Sequence, residues 1–516
     1  MRRRRKILLG VLATLLVLAG AAAWKIHAWG RPVPAAYRRV AVTPANPGGG
    51  RSFTYVHVDA RGQAGDRVVA LDADNDGAVD QVLTEGGAPA SFARPQAGDP
   101  DARWLILCLD GVPYQEMLAL WEEGYFREFF RPAPLLSPFP SDSESALTDV
   151  FHAGPVPGYE HRYFDRAANR LAGGALTTVT GKNIPYLELL DYDMPGYFKG
   201  VTYLLPHKSY RADLGRLRKR FLASRETVFL AHIASSDSLY HILPKDEMRG
   251  LLTEVDSLLR ELYFDSGGKL RITLFSDHGN SLVESRPVPL KQFLAARGWR
   301  LRDRLEEARD VVVPAYGLVG FIAVYCRPAA CAELAGTLTE MEGVDLVVSE
   351  EPGGLVVESR QGEAWLIWNR SATAFLYEPV GSDTGYDALE LMPILEKLGR
   401  EGKVSPQGGV KDADFFAATA GHRYPDVGYR LWQWATNHVR KRADILVSLK
   451  PGYYYGSGAF QRMVTLYSTH GALDAAQSLG FAMSTYAPLK GPIRSKDLLP
   501  EKLKARKSKS ETRNSD

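Results

Sequence analysis

Seven side chains of the right types for metal-assisted hydrolysis lie spread along the chain. Asp110 ends an apolar run at residues 104–109. Ser143 lies in the loop Phe139-Pro140-Ser141-Asp142-Ser143-Glu144-Ser145, which leads into a helical pattern. Asp237 and His241 are four apart, which places them on one face of a helix. Asp277 and His278 are adjacent and end another apolar run, and His470 follows late in Thr469-His470-Gly471. Alone, each has an ordinary explanation: an Asp after a strand forms turns, and a Ser at a helix start caps it. Together they supply three Asp, three His and one hydroxyl, the donor set that two divalent ions sharing a site require. Imidazole and carboxylate suit zinc, and manganese or iron accept the same donors. A hydroxyl beside such an ion becomes a nucleophile near neutral pH. Ser141 and Ser145 are rivals of Ser143 for that role.

The elements that must position these groups follow from the apolar pattern. Runs at residues 104–109, 227–233, 270–275 and 445–449 are short and unbroken, and helical patterns such as 246–263 separate them. That texture predicts an α/β fold, a three-layer α/β/α sandwich on a largely parallel sheet, with ligands at the strands' carboxyl ends. The strand-like pieces at 317–325 and 364–368 interrupt the alternation, so residues 311–410 are expected to form an inserted subdomain. The catalytic domain is then expected over 103–310 and 411–495. A Pro/Gly-rich stretch at 31–50 reads as a linker, and residues 53–58 and 68–71 as strands of a small segment ending near 102.

In their order and spacing these motifs resemble the alkaline phosphatase superfamily, and within it the type I phosphodiesterase/nucleotide pyrophosphatase group, over roughly residues 103–485. The resemblance implies an alkaline phosphatase-like fold and two metals. One would be held by Asp110, Ser143, Asp277 and His278, the other by Asp237, His241 and His470. Residues 443–456 and Ser468-Thr469-His470-Gly471 resemble the family's closing strand and final ligand loop. It implies hydrolysis of phosphodiester or pyrophosphate bonds through a covalent intermediate on Ser143. The chain departs from the diesterase pattern in carrying Ser143 where Thr is usual and Ala146 where an Asn is usual. Asp142-Ser143 is closer to the monoesterase branch. A phosphoryl head-group transferase, for example of phosphoethanolamine, would use the same intermediate with an alcohol in place of water. A non-catalytic envelope scaffold is the alternative from another class, against which the complete ligand set argues. Arg162, Arg166 and Lys182 are candidates for a further phosphate contact.

A second acidic motif lies apart from these. Asp72, Asp74, Asp76 and Asp80 occupy positions 1, 3, 5 and 9 of a loop with Gly77 at position 6. That spacing suits calcium, although the Glu at position 12 of an EF-hand is missing. An acidic turn without metal is the plain alternative.

The remaining features concern location. Arg2 to Lys6 precede an apolar run at residues 7–24, roughly 18 residues and long enough to span a bilayer. The charge order keeps the N-terminus inside and exports the remainder, as a retained anchor over residues 1–30 or a cleaved signal ending near Ala21 to Ala23. Of the three cysteines, Cys326 and Cys331 are spaced to bridge, and Cys108 reads as a buried thiol. The net charge of +3 excludes a strongly basic nucleic-acid-binding chain. Residues 496–516 read as a basic, solvated tail. The expected partners are a phosphate-ester substrate and the membrane.

Overall fold

The computed structural model describes residues 36–43, 51–59, 63–84, 92, 94–96, 102–174, 183–315, 317–369, 373–381, 387–436, 439–458, 465–501 and 503. The N-terminal apolar segment, Lys182 and residues 504–516 lie outside the described residues. Among those described, no helix is long and apolar enough to cross a membrane.

Trp104–Leu109 is buried throughout, as a central strand's unbroken apolar run requires. It pairs in parallel with Val228–Ile233 on one side and Arg271–Phe275 on the other. Alternate side chains face opposite ways. Trp104, Ile106 and Cys108 pack with Leu147 and Val150 of the helix Ser143–Val150. Leu105, Leu107 and Leu109 pack with Met117, Leu214 and Val255, from the helices Tyr114–Glu122, Pro206–Ala223 and Lys245–Asp265. Helices therefore cover both faces, and the expected three layers are present.

Beyond these strands the sheet is mixed. Leu479–Ser484 runs antiparallel to Arg271–Phe275 and to Ala133–Leu136, and Ile493–Arg494 closes the edge in parallel. The strand Ile445–Leu449, expected in this sheet, belongs to a second one. There it pairs antiparallel with Phe321–Val324 and Val344–Glu351 in a seven-stranded antiparallel array. Its run is unbroken because both of its faces are covered: Ile445, Val447 and Leu449 join one core and Leu446 another. Apolar content reports burial, not pairing direction. Cys326 and Cys331 are bridged, with Cα atoms 5.9 Å apart, and Cys108 is a buried free thiol.

An N-terminal antiparallel sheet of Tyr37–Thr43, Arg51–Val58, Ala64–Asp72 and Gln81–Thr84 docks Phe53, Tyr55 and Ala70 against the Lys245–Asp265 helix. Arg260 of that helix is buried under Tyr55, its Nε 2.7 Å from Glu128 and an Nη 2.6 Å from Asp256. Arg260→Ala leaves two buried carboxylates without their cation, so it is expected to destabilise by about 3–5 kcal/mol. A lower denaturant midpoint at unchanged m-value is the expected reading. An unchanged midpoint would show that the cluster contributes no stability.

Candidate active site

Because three neighbouring strands run in parallel, their carboxyl ends deliver three loops to one edge. Asp110 follows the first. Gly111 then turns with φ 71°, where a Cβ would lie 2.6 Å from the Asp237 carboxylate. Only glycine tolerates both the left-handed backbone and that approach. Asp237 and His241 lie on the short helix Ser235–Ile242 after the second strand, with His241 Nε2 3.1 Å from Asp237. Asp277 and His278 follow the third. His470 arrives on the loop before Leu479–Ser484.

The imidazoles share one arrangement. Nδ1 of His241 lies 2.8 Å from Ser468 O, that of His278 2.9 Å from Gly279 O and that of His470 3.0 Å from Ser141 O. A carbonyl only accepts, so each Nδ1 carries a proton and each ring turns its Nε2 to the centre. Donor atoms of Asp110, Asp277 and His278 lie within 4.8 Å of one another, as do those of Asp237, His278 and His470. The two sets abut, for His278 stacks on His470 with ring centroids 3.9 Å apart. Oδ2 of Asp277 is buried with no hydrogen-bond partner among the described residues. Inward Nε2 atoms beside clustered carboxylates, one with an orphaned oxygen, fit divalent cations of the zinc type.

Ser143 is the first residue of its helix, and Asp142 is the cap, accepting from Ser145 N at 2.7 Å. The Ser143 hydroxyl is thereby left for the centre. Its Oγ lies 3.1 Å from Asp110 Oδ1 and 3.3 Å from His278 Nε2. Ser141 is fully buried, its Oγ 3.0 Å from Pro138 O and 3.2 Å from Ala472 O, with the buried Arg430 also donating to it. Ser145 is buried in the same helix.

The cluster is electrostatically divided. Burial opposes the charged form of Asp110, but hydrogen bonds from His232 and His278 outweigh it and hold the carboxyl below its usual range. Burial likewise opposes charge on Asp237, and His241 and His470 overcome it. For Asp277 burial wins, aided by Asp110, and its carboxyl is raised. Nearby, burial pushes Asp142 and Glu160 each up to about 7.

The structure adds residues that the motifs missed. His232 places Nε2 3.0 Å from Asp110 Oδ2 and Nδ1 3.0 Å from Asp193 Oδ1. Burial alone would lower its imidazole, but the bonds to the two carboxylates push it up to about 10. Lys199 Nζ lies 3.6 Å from the other oxygen of Asp193. Asn280 Nδ2 lies 2.9 Å from Gly111 O and 3.3 Å from Asp237 Oδ1. Glu144, beside the nucleophile candidate, pairs with His161. The only local signal was a histidine inside the apolar run 228–233. Two of the candidates for a phosphate contact have protein partners. Arg162 donates to Ala315 O at 2.8 Å, and Arg166 pairs with Asp444. Lys199 is linked through Asp193 and His232 to Asp110.

His232→Ala removes the group that orients Asp110 from behind. The expected result is a roughly 10–100-fold loss of metal affinity or of activity. Metal titration of the apoprotein checks the first and steady-state rates the second. Wild-type values for both would remove His232 from the site.

Fold and site together define an α/β protein with a carboxylate–imidazole centre beside a helix-start serine. No family model and no curated protein matches the chain. Among solved structures it is similar to human ectonucleotide pyrophosphatase/phosphodiesterase 5, at 12% identity and a TM-score of 0.42, over 78% of this chain and 94% of that one. It is also similar to the phosphonoacetate hydrolase of Sinorhizobium meliloti 1021, at 12% identity and a TM-score of 0.41, over 80% and 96%. The murine counterpart of the first gives 11% identity and a TM-score of 0.40, over 78% and 94%. At these scores the likenesses carry no weight for function, which rests on the residues above.

Proposed function

We propose that this chain is a metal-dependent phosphoric-ester hydrolase that cleaves phosphodiester or pyrophosphate bonds through a covalent intermediate on Ser143. The observation that carries the reading is the Ser143 hydroxyl, 3.1 Å from Asp110 and 3.3 Å from His278 at a helix start, inside a cluster of all six expected ligands. Two zinc-type cations, held by Asp110, Asp277 and His278 and by Asp237, His241 and His470, would supply Lewis-acid charge for the hydroxyl, the phosphate oxygens and the leaving oxygen.

The chain's own groups account for the remainder. Asp110 and His278 orient the Ser143 hydroxyl, and His232 holds Asp110 in place. The positive end of the helix Ser143–Val150 favours phosphate oxygens. Lys199 adds positive charge from the Gly196–Thr202 helix. In the first displacement a bond forms from Ser143 Oγ to phosphorus and the ester P–O bond breaks. The leaving oxygen takes the electron pair, and the serine proton ends on it. Water then cleaves the Oγ–P bond and restores the hydroxyl.

We further propose that the reaction occurs on the exported side of a membrane, with residues 1–30 as anchor. The Cys326–Cys331 bridge supports an oxidising compartment. The test is p-nitrophenol or phosphate release from matched monoester, diester and pyrophosphate substrates, with and without an acceptor alcohol. Fastest turnover of diester or pyrophosphate, unchanged by the alcohol, is expected. Product appearing only on the alcohol would make the protein a transferase, and no turnover of any substrate would overturn the reading.

A further inference from the structure

We propose that the loop between the strands Ala64–Asp72 and Gln81–Thr84 is a calcium site whose ion fastens the N-terminal sheet to the catalytic layer. The site lies outside the hydrolytic centre and does not depend on the function assigned to it.

The loop is folded around its own carboxylates. Asp72 Oδ2 accepts from Gly77 N at 3.1 Å, and Asp80 Oδ2 accepts from Ala73 N at 2.9 Å and Asp74 N at 3.3 Å. Asp74 Oδ1 accepts from Asp76 N at 3.2 Å. These bonds leave a second oxygen on each of Asp72, Asp74 and Asp80. One donor oxygen from each of the three lies within 4.8 Å of the other two.

Two observations separate this loop from an ordinary acidic turn. Asp72 is only 2% exposed, and its Oδ1 and that of Asp80 are buried with no hydrogen-bond partner among the described residues. A buried anionic oxygen without a partner is strongly unfavourable unless a cation meets it. Arg94 at the loop is engaged by another carboxylate, its guanidinium lying 2.8 Å from Asp76 Oδ2 and 2.8 Å from Ala78 O. Among the described residues, no ion pair reaches Asp72, Asp74 or Asp80. Three gathered carboxylates thus face one another, with Arg127 acting on Asp72 only from beyond ion-pair distance.

The donors are all oxygen, which selects a hard cation over zinc. Irregular carboxylate geometry completed by water suits calcium, whereas magnesium demands a near-ideal octahedron.

The ion would fix more than the hairpin. Val79 N donates to Arg127 O at 2.7 Å, and Arg127 returns a bond to Gly77 O at 3.2 Å. The same guanidinium stacks 3.9 Å from the Trp121 ring. Gly77 turns with φ 95° so close to Trp121 that a Cβ would sit 2.6 Å from the indole. Trp121 and Arg127 belong to the catalytic layer, so an ion that stiffens residues 72–80 also holds the sheet on it.

The experiment uses the full chain, zinc-loaded and free of calcium, with Ca²⁺ alone as the probe. Equilibrium dialysis should show about one saturable Ca²⁺ per chain, with Kd on the order of 10⁻³ M or tighter. Protease cleavage within residues 64–84 should slow at least about tenfold, and the thermal midpoint should rise by several degrees. Asp72→Asn can keep the bond to Gly77 N while placing an amide N–H₂ where Oδ1 was. It should abolish calcium binding and protection with the hydrolytic rate unchanged. Asp74→Asn, at an exposed position, should weaken binding roughly tenfold without moving the calcium-free midpoint. Absence of saturable binding in the wild type would overturn the proposal. So would equal protection in Asp72→Asn, or equal protection by Mg²⁺ at the same concentration.

Discussion

Ser143→Ala is expected to lower the hydrolytic rate by a factor on the order of 10³ or more while the protein keeps its metal. The reason is geometric. Six side chains other than Ser143 form the carboxylate–imidazole cluster, and the two that the serine touches, Asp110 and His278, have other supports. The three imidazoles are held through Nδ1 by Ser468 O, Gly279 O and Ser141 O, and Asp110 is held from behind by His232. Loss of one hydroxyl leaves those supports intact but removes the atom positioned for the first displacement. Ser141→Ala should behave differently. Its Oγ bonds to Pro138 O and Ala472 O, so the change should lower stability more than it lowers the rate. Parallel metal analysis and steady-state kinetics of both variants check this. A Ser143→Ala enzyme near the wild-type rate would remove the serine from the mechanism.

His470→Ala is expected to reduce the metal content from about two ions per chain to about one and to lower the rate by several orders of magnitude. His470 Nε2 lies 3.6 Å from Asp237 Oδ1, and His241 closes the same set from the helix carrying Asp237. Removing His470 strips one of three protein ligands from that cation and leaves Asp110, Asp277 and His278 for the other. Elemental analysis after dialysis against limiting zinc reads the stoichiometry directly. Two retained ions at full rate would show that His470 is not a ligand.

Much of this site was legible because it obeys a local rule. Ligands that follow parallel strands are adjacent in sequence to apolar runs, so Asp110, Asp237 and Asp277 could be found from where burial stops. His241 could be found from helical spacing, and Ser143 from its place before a helix. The supporting groups obey no such rule. Asp193 and Lys199 come from a segment between sheet and helix, and only the fold brings them to His232. Arg162 and Arg166 carry the right charge for phosphate, but charge alone does not say which surface a side chain reaches. The misplaced strand Ile445–Leu449 has the same cause: an unbroken apolar run is buried on both faces in either sheet. The loop at Asp72 to Asp80 was visible as a spacing. The isolation of its buried oxygens was not, since that depends on Arg94 turning to Asp76.

The most direct measurement is to quench the enzyme in acid during turnover of a labelled phosphoric ester and to locate the label by peptide mass. The account predicts a phosphoryl adduct on Ser143, in the peptide containing Asp142-Ser143-Glu144, and none in Ser143→Ala. Label on Ser141 or Ser145 would contradict the assignment of the nucleophile. Steady turnover with no label on any serine would contradict the covalent route and leave direct attack by water.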